Sequence, residues 1–374
     1  MKSLRILITN YDLTQHGGAQ LYVRDLATSL LSRGHQPLVY SPALGSVADE
    51  LAKAGVPVTD NLASIELPPD LIHSNQQVET MTALLFFPGT PAVYFCHSAR
   101  NWMEAPPIFP RILRYVAVDD VCYRRLTDEH GIKPAQAAVI LNFVDLERFK
   151  PRGPLPDKPR RALVFSNYAH NGTHLGVVRA ACKRAAIELE VIGESAGQLE
   201  TRPESKIGQY DLVFAKARAA LEALAVGTAV VLCDTDGVGP MVTAGELDSL
   251  RRLNFGFRTL TRPLTVEAVE QQIARYDRRD AAIVSQRIRA TAGSVAAIDQ
   301  IVELYEELIC EWQRCAVSAE DEGRAAAHYV RQLYDDFAFH GAFTMRWRKR
   351  LLRIPLVGPR IVAWRERSSP NQKR

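Results

Sequence analysis

The chain has 374 residues, of which 47% are hydrophobic and 24% charged, which is ordinary for a soluble globular protein with room for two cores. No segment reaches the ~20 apolar residues of a membrane span, and the start MKSLRILITN lacks the apolar run of a signal peptide, so a cytoplasmic location is expected. The net charge of +4 is uneven, because residues 341–374 hold ten Lys/Arg and one acid while the rest of the chain is mildly acidic.

The first 150 residues alternate between apolar strands and helices. The patterns predict strands at 4–9, 36–40, 70–73, 92–97 and 115–118, and helices at 19–33 and 48–54. Continuous apolar runs separated by helices indicate a parallel sheet that is covered on both faces. We therefore predict a first domain of the doubly wound, Rossmann-like α/β class over residues 1–150.

The predicted linker, residues 151–161, lies in the run KPRGPLPDKPRR, which has four prolines and little that can pack. After it the alternation resumes, with strands at 162–167 and 189–192, a helix at 175–186 and further helices between 266 and 313. These patterns predict a second Rossmann-like domain at 162–315 and a C-terminal extension at 316–374. Two such domains form a cleft between the carboxyl edges of their sheets, where ligands bind in this class.

The segment 211–234, DLVFAKARAALEALAVGTAVVLCD, carries the strongest site signal. A parallel strand leads through a basic turn, Lys216 and Arg218, directly into a helix, and a second strand follows Gly227. Free helix N–H groups, the positive end of the helix dipole and two cations together favour a diphosphate. The single carboxylate one turn further on, Glu222, is suited to hold ribose hydroxyls.

Two features of the first domain follow predicted strands. Gly17 and Gly18 open the first long helix, where glycines let a backbone N–H approach a ligand closely or serve only a tight loop. His97 ends the strand VYFCHS at the carboxyl edge, where a histidine can contact a sugar, move a proton or be a structural residue. His73, at the end of DLIH, has the same position in its strand.

The six cysteines are scattered and include no Cys-x-x-Cys pair. Several stand inside apolar strand-like runs, which favours buried reduced thiols over a metal site or disulfides.

The segment 139–151, VILNFVDLERFKP, resembles the junction of family-4 glycosyltransferases, in which a strand leads to Asn-Gly-Val-Asp and then Arg-Phe. Here Phe143 stands where Gly is usual. With the Gly-Gly loop, His97 and the segment Leu221–Ala225 followed by Gly227, the junction makes residues 1–310 similar to a GT-B glycosyltransferase of the family-4 type.

The resemblance implies a nucleoside-diphosphate-sugar donor held mainly by the second domain, and a glycan or lipid-linked acceptor bound to the first. It also implies transfer to a hydroxyl without a catalytic metal or another cofactor. Glu222 matches the second Glu of the Glu-x7-Glu motif, and His97 matches the histidine that contacts the donor sugar.

The sequence departs from the family at the donor site. Phe214 occupies the position expected for the first Glu, and the stretch 166–172 lacks the usual Arg and Lys that hold the diphosphate. We expect Lys216 and Arg218 to supply the missing charge. Sugar contacts then fall to Asn167, to His170 or to the loop 234–241, in which Gly237 and Gly239 allow close approach.

The basic tail, residues 341–374, has three interpretations. Its arginines and tryptophans suit an anionic membrane surface, at ~1 kcal/mol for each basic residue. The same residues suit packing against the body of the protein and, less well, nucleic-acid phosphates. Pro355 and Pro359 predict two short helices in place of one long helix.

The sequence as a whole predicts a metal-independent glycosyltransferase in the cytoplasm, acting at the inner membrane face. Two alternatives stay open: a nucleotide-sugar epimerase on the same fold, and a non-catalytic GT-B protein that binds a nucleotide sugar.

Overall fold

A computed structural model describes residues 3–198, 200, 202–315 and 317–352, with side chains as far as residue 335. The two sheets and their helices, up to residue 315, belong to one compact unit, and helix α11 (Ala319–Leu352) belongs to a second unit. The side chains of the predicted tail 341–374, and all of residues 353–374, lie outside this description.

The first sheet contains seven parallel strands in the order β3-β2-β1-β4-β5-β6-β7. These strands are β1 (Arg5–Thr9), β2 (Gln36–Tyr40), β3 (Val58–Thr59), β4 (Leu71–Ser74), β5 (Ala92–Cys96), β6 (Ile112–Ala117) and β7 (Ala137–Val139). The helices that follow them are α1 (Gly18–Ser32), α2 (Ser46–Lys53), α3 (Gln77–Phe86) and α4 (Asp120–Arg124). The central strands β1, β4 and β5 are buried at almost every position because helices cover both faces.

The second sheet has five strands in the order β12-β11-β10-β8-β9. These strands are β8 (Arg161–Phe165), β9 (Glu188–Ile192), β10 (Leu212–Ala215), β11 (Ala229–Asp234) and β12 (Gly237–Met241), and only the β11–β12 pair is antiparallel. The helices are α5 (His174–Arg184), α6 (Ala217–Val226), α7 (Leu247–Arg252), α8 (Val266–Ile273), α9 (Arg278–Thr291) and α10 (Ser294–Trp312). Both sheets match the predicted doubly wound class.

Helix α10 packs on the first sheet. Its buried face includes Ile298, Ile301 and Tyr305, which join the core built around β1, β5 and α1. The placement of residues 294–312 therefore differs from the predicted domain 162–315. The physical reason is that the amphipathic pattern of a helix fixes which face is buried and leaves open which sheet covers that face.

The chain crosses between the two sheets twice, and the crossings pair with each other. The Val144 N–H donates to Ala292 O at 2.9 Å, and the Ser294 N–H donates to Val144 O at 3.0 Å. Phe143, which replaces the family's Gly, is buried with its ring 5.6 Å from that of Tyr22. Phe143 therefore anchors the junction on the first domain.

Four of the predicted buried thiols lie in the cores, at Cys96, Cys122, Cys182 and Cys233. Cys310 and Cys315 are exposed, so the prediction is wrong for these two. They follow the last buried turn of α10, where the helix leaves the first core. Among the described helices, none combines the length and the apolar character that crossing a membrane requires.

Candidate active site

On the first domain, the site begins where β1 gives way to α1. Gly17 caps the helix, and a Cβ at Gly17 would lie 2.5 Å from Gln20 Oε1, so a larger residue there would displace that side chain. Gly18 begins the helix, and no atom outside the adjoining residues and the helix's own backbone lies within 4 Å of its Cβ position. The predicted glycine turn thus leaves open space at the start of α1, facing the second domain.

His97 follows β5 at the carboxyl edge of the first sheet, as predicted. Its Nε2 lies 2.8 Å from Asn75 Oδ1, its ring centroid lies 4.4 Å from that of Tyr22, and its backbone N–H donates to Glu104 Oε2 at 2.7 Å. Burial lowers the pKa of His97 to about 4 and raises the pKa of Glu104 to about 7. His97 is therefore neutral at physiological pH and suits hydrogen bonding better than a cationic role.

His73 is fully buried at the end of β4, with its Nδ1 2.6 Å from Tyr305 Oη. Burial holds the pKa of His73 well below its usual value. Its partner comes from α10, so His73 ties that helix to the first sheet.

On the second domain, β10 leads into α6 through Lys216, as the sequence predicts. The Ala217 N–H donates to Phe255 O at 2.9 Å, so the first N–H of the helix is already paired. Lys216 Nζ lies 2.7 Å from Asp234 Oδ2 and 3.9 Å from Asp236 Oδ2. Lys216, the first cation of the predicted phosphate site, is thus paired with carboxylates in this structure. The second cation, Arg218, is paired as well.

Arg218 connects the two domains. Its Nε donates to Glu222 Oε1 at 2.7 Å on the same helix, and its terminal nitrogen donates to Asp25 Oδ2 on α1. Burial raises the pKa of Glu222 against the opposing effect of the Arg218 guanidinium. For Asp25, burial also opposes ionisation, but the guanidiniums of Arg218 and Arg24 outweigh it and lower the pKa.

Asp25 is the centre of a larger ionic network. Arg24 pairs with Asp25 at 2.9 Å and with Glu50 at 2.9 Å, and Arg148 from the junction lies 3.7 Å from Asp25 and 3.0 Å from Glu204. Three arginines from three separate segments therefore converge on one carboxylate that is only 8% exposed. Guanidinium groups commonly bind anions with several oxygens, and here each of the three also has a second carboxylate partner, which is Glu50, Glu204 or Glu222.

A cavity of about 130 Å³ lies beside this network. Its walls come from the start of α1, the junction, the ends of β8 and β9, and α6; they include Gly18, Arg24, Arg148, Asn167, Arg218 and Glu222. Asn167 bridges the cleft, because its Nδ2 donates to His16 O at 3.3 Å. Four of the predicted donor-binding residues, Gly18, Asn167, Arg218 and Glu222, thus meet in one cavity, whereas His97 and Lys216 lie outside its lining.

Gly237 and Gly239, two further predicted donor-binding residues, are buried and lie outside the lining of this cavity. They lie on β12, where a Cβ would fall 2.6 Å from Arg262 O at Gly237 and 2.7 Å from Thr259 O at Gly239. The glycines are needed because the backbone of residues 259–262 packs directly against this strand. The predicted loop 234–241 is instead a hairpin whose turn is Thr235–Asp236.

His170, the other alternative sugar contact, is exposed and folded onto its own loop, where its Nδ1 accepts from the Gly172 N–H at 3.1 Å. No pattern in the sequence indicated Arg24 or Asp25. Arg148 lies in the junction segment 139–151, so that segment was the one sequence feature that pointed to this network. In the described residues no group of three or more His, Cys, Asp or Glu side chains has the geometry to hold a metal ion.

Comparison with known proteins gives one family match. Residues 16–148 match the model of Glycosyltransferase Family 4, which covers the glycine turn, His97 and the junction. No curated protein matches the chain.

Solved structures resemble a larger part of the chain. A glycosyltransferase from Rickettsia africae has a TM-score of 0.58 at 15% identity, covering 83% of this chain and 99% of its own. HepE from Anabaena, in complex with UDP and glucose, has a TM-score of 0.58 at 16% identity and covers 81% and 99%. MurG from Acinetobacter baumannii has a TM-score of 0.51 at 14% identity and covers 81% and 99%.

These structures show the fold: two Rossmann-like domains in the GT-B arrangement. The predicted resemblance is thereby confirmed for the fold, and the family model confirms it for the first domain. Residues 16–148 thus match glycosyltransferase family 4, and the chain has the fold of the GT-B glycosyltransferases.

Proposed function

We propose that the protein transfers a sugar from a nucleoside diphosphate to a hydroxyl of a glycan or a lipid-linked acceptor, without a bound metal or other cofactor. The observation that carries this proposal is the convergence of Arg24, Arg148 and Arg218 in the cleft between the sheets. A diphosphate needs such partners, because burying its charge without them costs several kcal/mol.

The three arginines supply positive charge from both domains. Arg218 lies in the first turn of α6, so the dipole of that helix adds to its charge. In the present arrangement these arginines are paired with four carboxylates, those of Asp25, Glu50, Glu204 and Glu222. We propose that the donor diphosphate replaces Asp25 as the partner of Arg148 and Arg218, while Glu222 then binds the ribose hydroxyls.

The size of the cavity supports an opening of the cleft. At about 130 Å³ it is smaller than the ~300–1,000 Å³ of ordinary ligand pockets. A nucleotide sugar therefore enters only when the ion pairs between Asp25 and the second domain separate. The double crossing at Val144 and Ser294 is a natural hinge for such a motion.

The acceptor belongs on the first domain, near His97, and we place the protein in the cytoplasm with its acceptor at the inner membrane face. HepE is described in complex with UDP and glucose, which makes UDP-sugars the first donors to test here. The electropositive tail, residues 341–374, suits an anionic membrane surface in this assignment.

The test is incubation of the full chain with UDP- and GDP-sugars, with and without glycan or lipid-linked acceptors. Free nucleotide released only with an acceptor supports transfer. A changed sugar without acceptor indicates an epimerase, and binding without turnover indicates a non-catalytic protein; either result refutes the proposal.

A variant pair tests the donor site. Arg148→Gln should weaken nucleotide binding at least about tenfold, or 1.4 kcal/mol. The matched control is Arg161→Gln, which removes an exposed ion pair with Glu190 outside the cavity and should leave binding unchanged. Equal effects of the two variants would refute the role of Arg148.

A further inference from the structure

Asn75 is buried at the end of β4 and makes two hydrogen bonds with its side-chain amide. Its Nδ2 donates to Thr9 O at 2.6 Å, and its Oδ1 lies 2.8 Å from His97 Nε2. Thr9 ends β1 and His97 directly follows β5, so the amide is fixed between two neighbouring parts of the sheet edge.

The Thr9 partner determines which way the amide points. A backbone carbonyl oxygen only accepts, so the amide nitrogen of Asn75 must face Thr9 O and its oxygen must face His97. An amide oxygen also only accepts, so His97 Nε2 must carry the proton of this hydrogen bond. In a neutral imidazole, Nδ1 is then the only acceptor of the ring.

We propose that Asn75 is a positioning residue that fixes His97 as the Nε2–H tautomer and so presents Nδ1 as an acceptor to a hydroxyl of the donor sugar or the acceptor. The role rests on the proposed function, since it gives His97 a sugar hydroxyl to receive. The tautomer itself is a property of the protein alone.

The groups around His97 agree with a neutral, fixed ring. The Tyr22 ring of α1 packs against it, and the buried His73 of β4 lies beside Asn75. Glu104, in the loop after β5, contacts the backbone N–H of His97 at 2.7 Å, so its carboxylate is used by the main chain. Burial keeps the pKa of His97 low, which holds the ring in its neutral form at neutral pH.

The direct test is ¹⁵N NMR of the full chain labelled at its histidine ring nitrogens. His97→Gln removes one set of ring signals and so assigns them among the nine histidines. At pH 7.5 we expect a pyrrole-like shift for Nε2 and a pyridine-like shift for Nδ1. The opposite pattern, with the proton on Nδ1, would overturn the inference.

Variants at Asn75 test its causal role. Asn75→Ala should give averaged ring shifts and lower kcat for transfer on the order of 10- to 100-fold, with nucleotide affinity unchanged. Asn75→Asp keeps the size of the side chain and places a carboxylate beside Nε2, so the pKa of His97 should rise. A fixed Nε2–H tautomer in Asn75→Ala, or no rise in Asn75→Asp, would refute the role.

The control is Ser74→Ala, a neighbouring buried change that removes the hydrogen bond from Ser74 Oγ to Val93 O at 3.0 Å. Ser74→Ala should leave the His97 ring shifts and kcat unchanged. If Ser74→Ala also gave averaged His97 ring shifts, the effect of Asn75→Ala would come from a general loosening of β4, and the positioning role would be refuted. Absence of transfer by the wild-type chain would refute the proposed function, while the ring shifts would still decide the tautomer.

Discussion

Asp25 on the first domain and Arg218 on the second form a buried ion pair, in which Arg218 also holds Glu222 at 2.7 Å. Asp25 and Arg218 are separated by 193 positions in the chain. The Asp25 carboxylate occupies the position among the cleft arginines that we propose for the donor diphosphate. Binding of the donor and closure by Asp25 compete for the same cations.

Asp25→Asn should bind UDP or GDP more tightly than the wild type. The amide keeps the size and one acceptor but removes the negative charge that competes with the diphosphate. We expect a gain of about tenfold, equivalent to about 1.4 kcal/mol. Calorimetric titration measures it.

The control for Asp25 is Asp120→Asn, which removes the partner of the exposed Arg252. It should leave nucleotide affinity unchanged. Unchanged or weaker binding by Asp25→Asn would show that Asp25 is purely structural. Asp25→Asn should also unfold more easily than the wild type without nucleotide, because the buried arginines lose a charged partner.

Lys216→Met separates a structural from a phosphate-binding role of Lys216. Its Nζ lies 2.7 Å from Asp234, which is 1% exposed, so the single variant leaves a buried carboxylate without its cation. We expect a loss of roughly 1–3 kcal/mol in the free energy of unfolding, measured by chemical denaturation.

The double variant Lys216→Met/Asp234→Asn decides between the two roles. If Lys216 only neutralises Asp234, the double variant recovers stability and binds nucleotide like the wild type. If Lys216 also binds the diphosphate, as the sequence predicted, stability returns and nucleotide affinity stays low.

The sequence predicted the fold well where burial alone decides it. The middle of β1 and all of β5 are apolar, because helices cover both faces of a parallel sheet. The run at 234–241 has two glycines and a proline and was predicted as a loop. It forms β12 because a neighbouring backbone segment packs against it, which no local pattern records.

The site was predicted in part for a related reason. Gly18, Asn167 and Arg218 stand near strand ends or helix starts, and Glu222 lies one turn after Arg218 in α6, so chain order places all four at the cleft. The partner of Arg218 could not be predicted, because an ion pair between domains leaves no periodic signal in either segment. An arginine on a helix start is the same in sequence whether it meets a phosphate or an aspartate.

Gly237→Ala tests the corrected role of β12. The added Cβ would fall 2.6 Å from Arg262 O, and the φ of +146° is one that L residues rarely adopt. We expect a loss of about 1–3 kcal/mol in the free energy of unfolding. The folded fraction should bind nucleotide with wild-type affinity, and a specific loss of binding without a loss of stability would support the predicted ligand role.

Glu104→Gln should change how stability depends on pH. Burial raises the pKa of Glu104 to about 7, above the ~4.5 expected in the unfolded chain, so the native state binds this proton more tightly. Its contribution to the free energy of unfolding is therefore greatest at low pH and falls as the pH rises from about 4.5 to about 7, by about 3 kcal/mol in total.

The measurement is the free energy of unfolding of the wild type and of Glu104→Gln, each at pH 5 and at pH 8. Subtracting one protein from the other at each pH removes the effect of the other titrating groups. Relative to the wild type, the free energy of unfolding of Glu104→Gln should be higher at pH 8 than at pH 5, because the amide accepts from the His97 N–H without a buried charge. A gap that is the same at both pH values would mean that Glu104 is ionised throughout and that the loop after β5 is held by a permanent carboxylate.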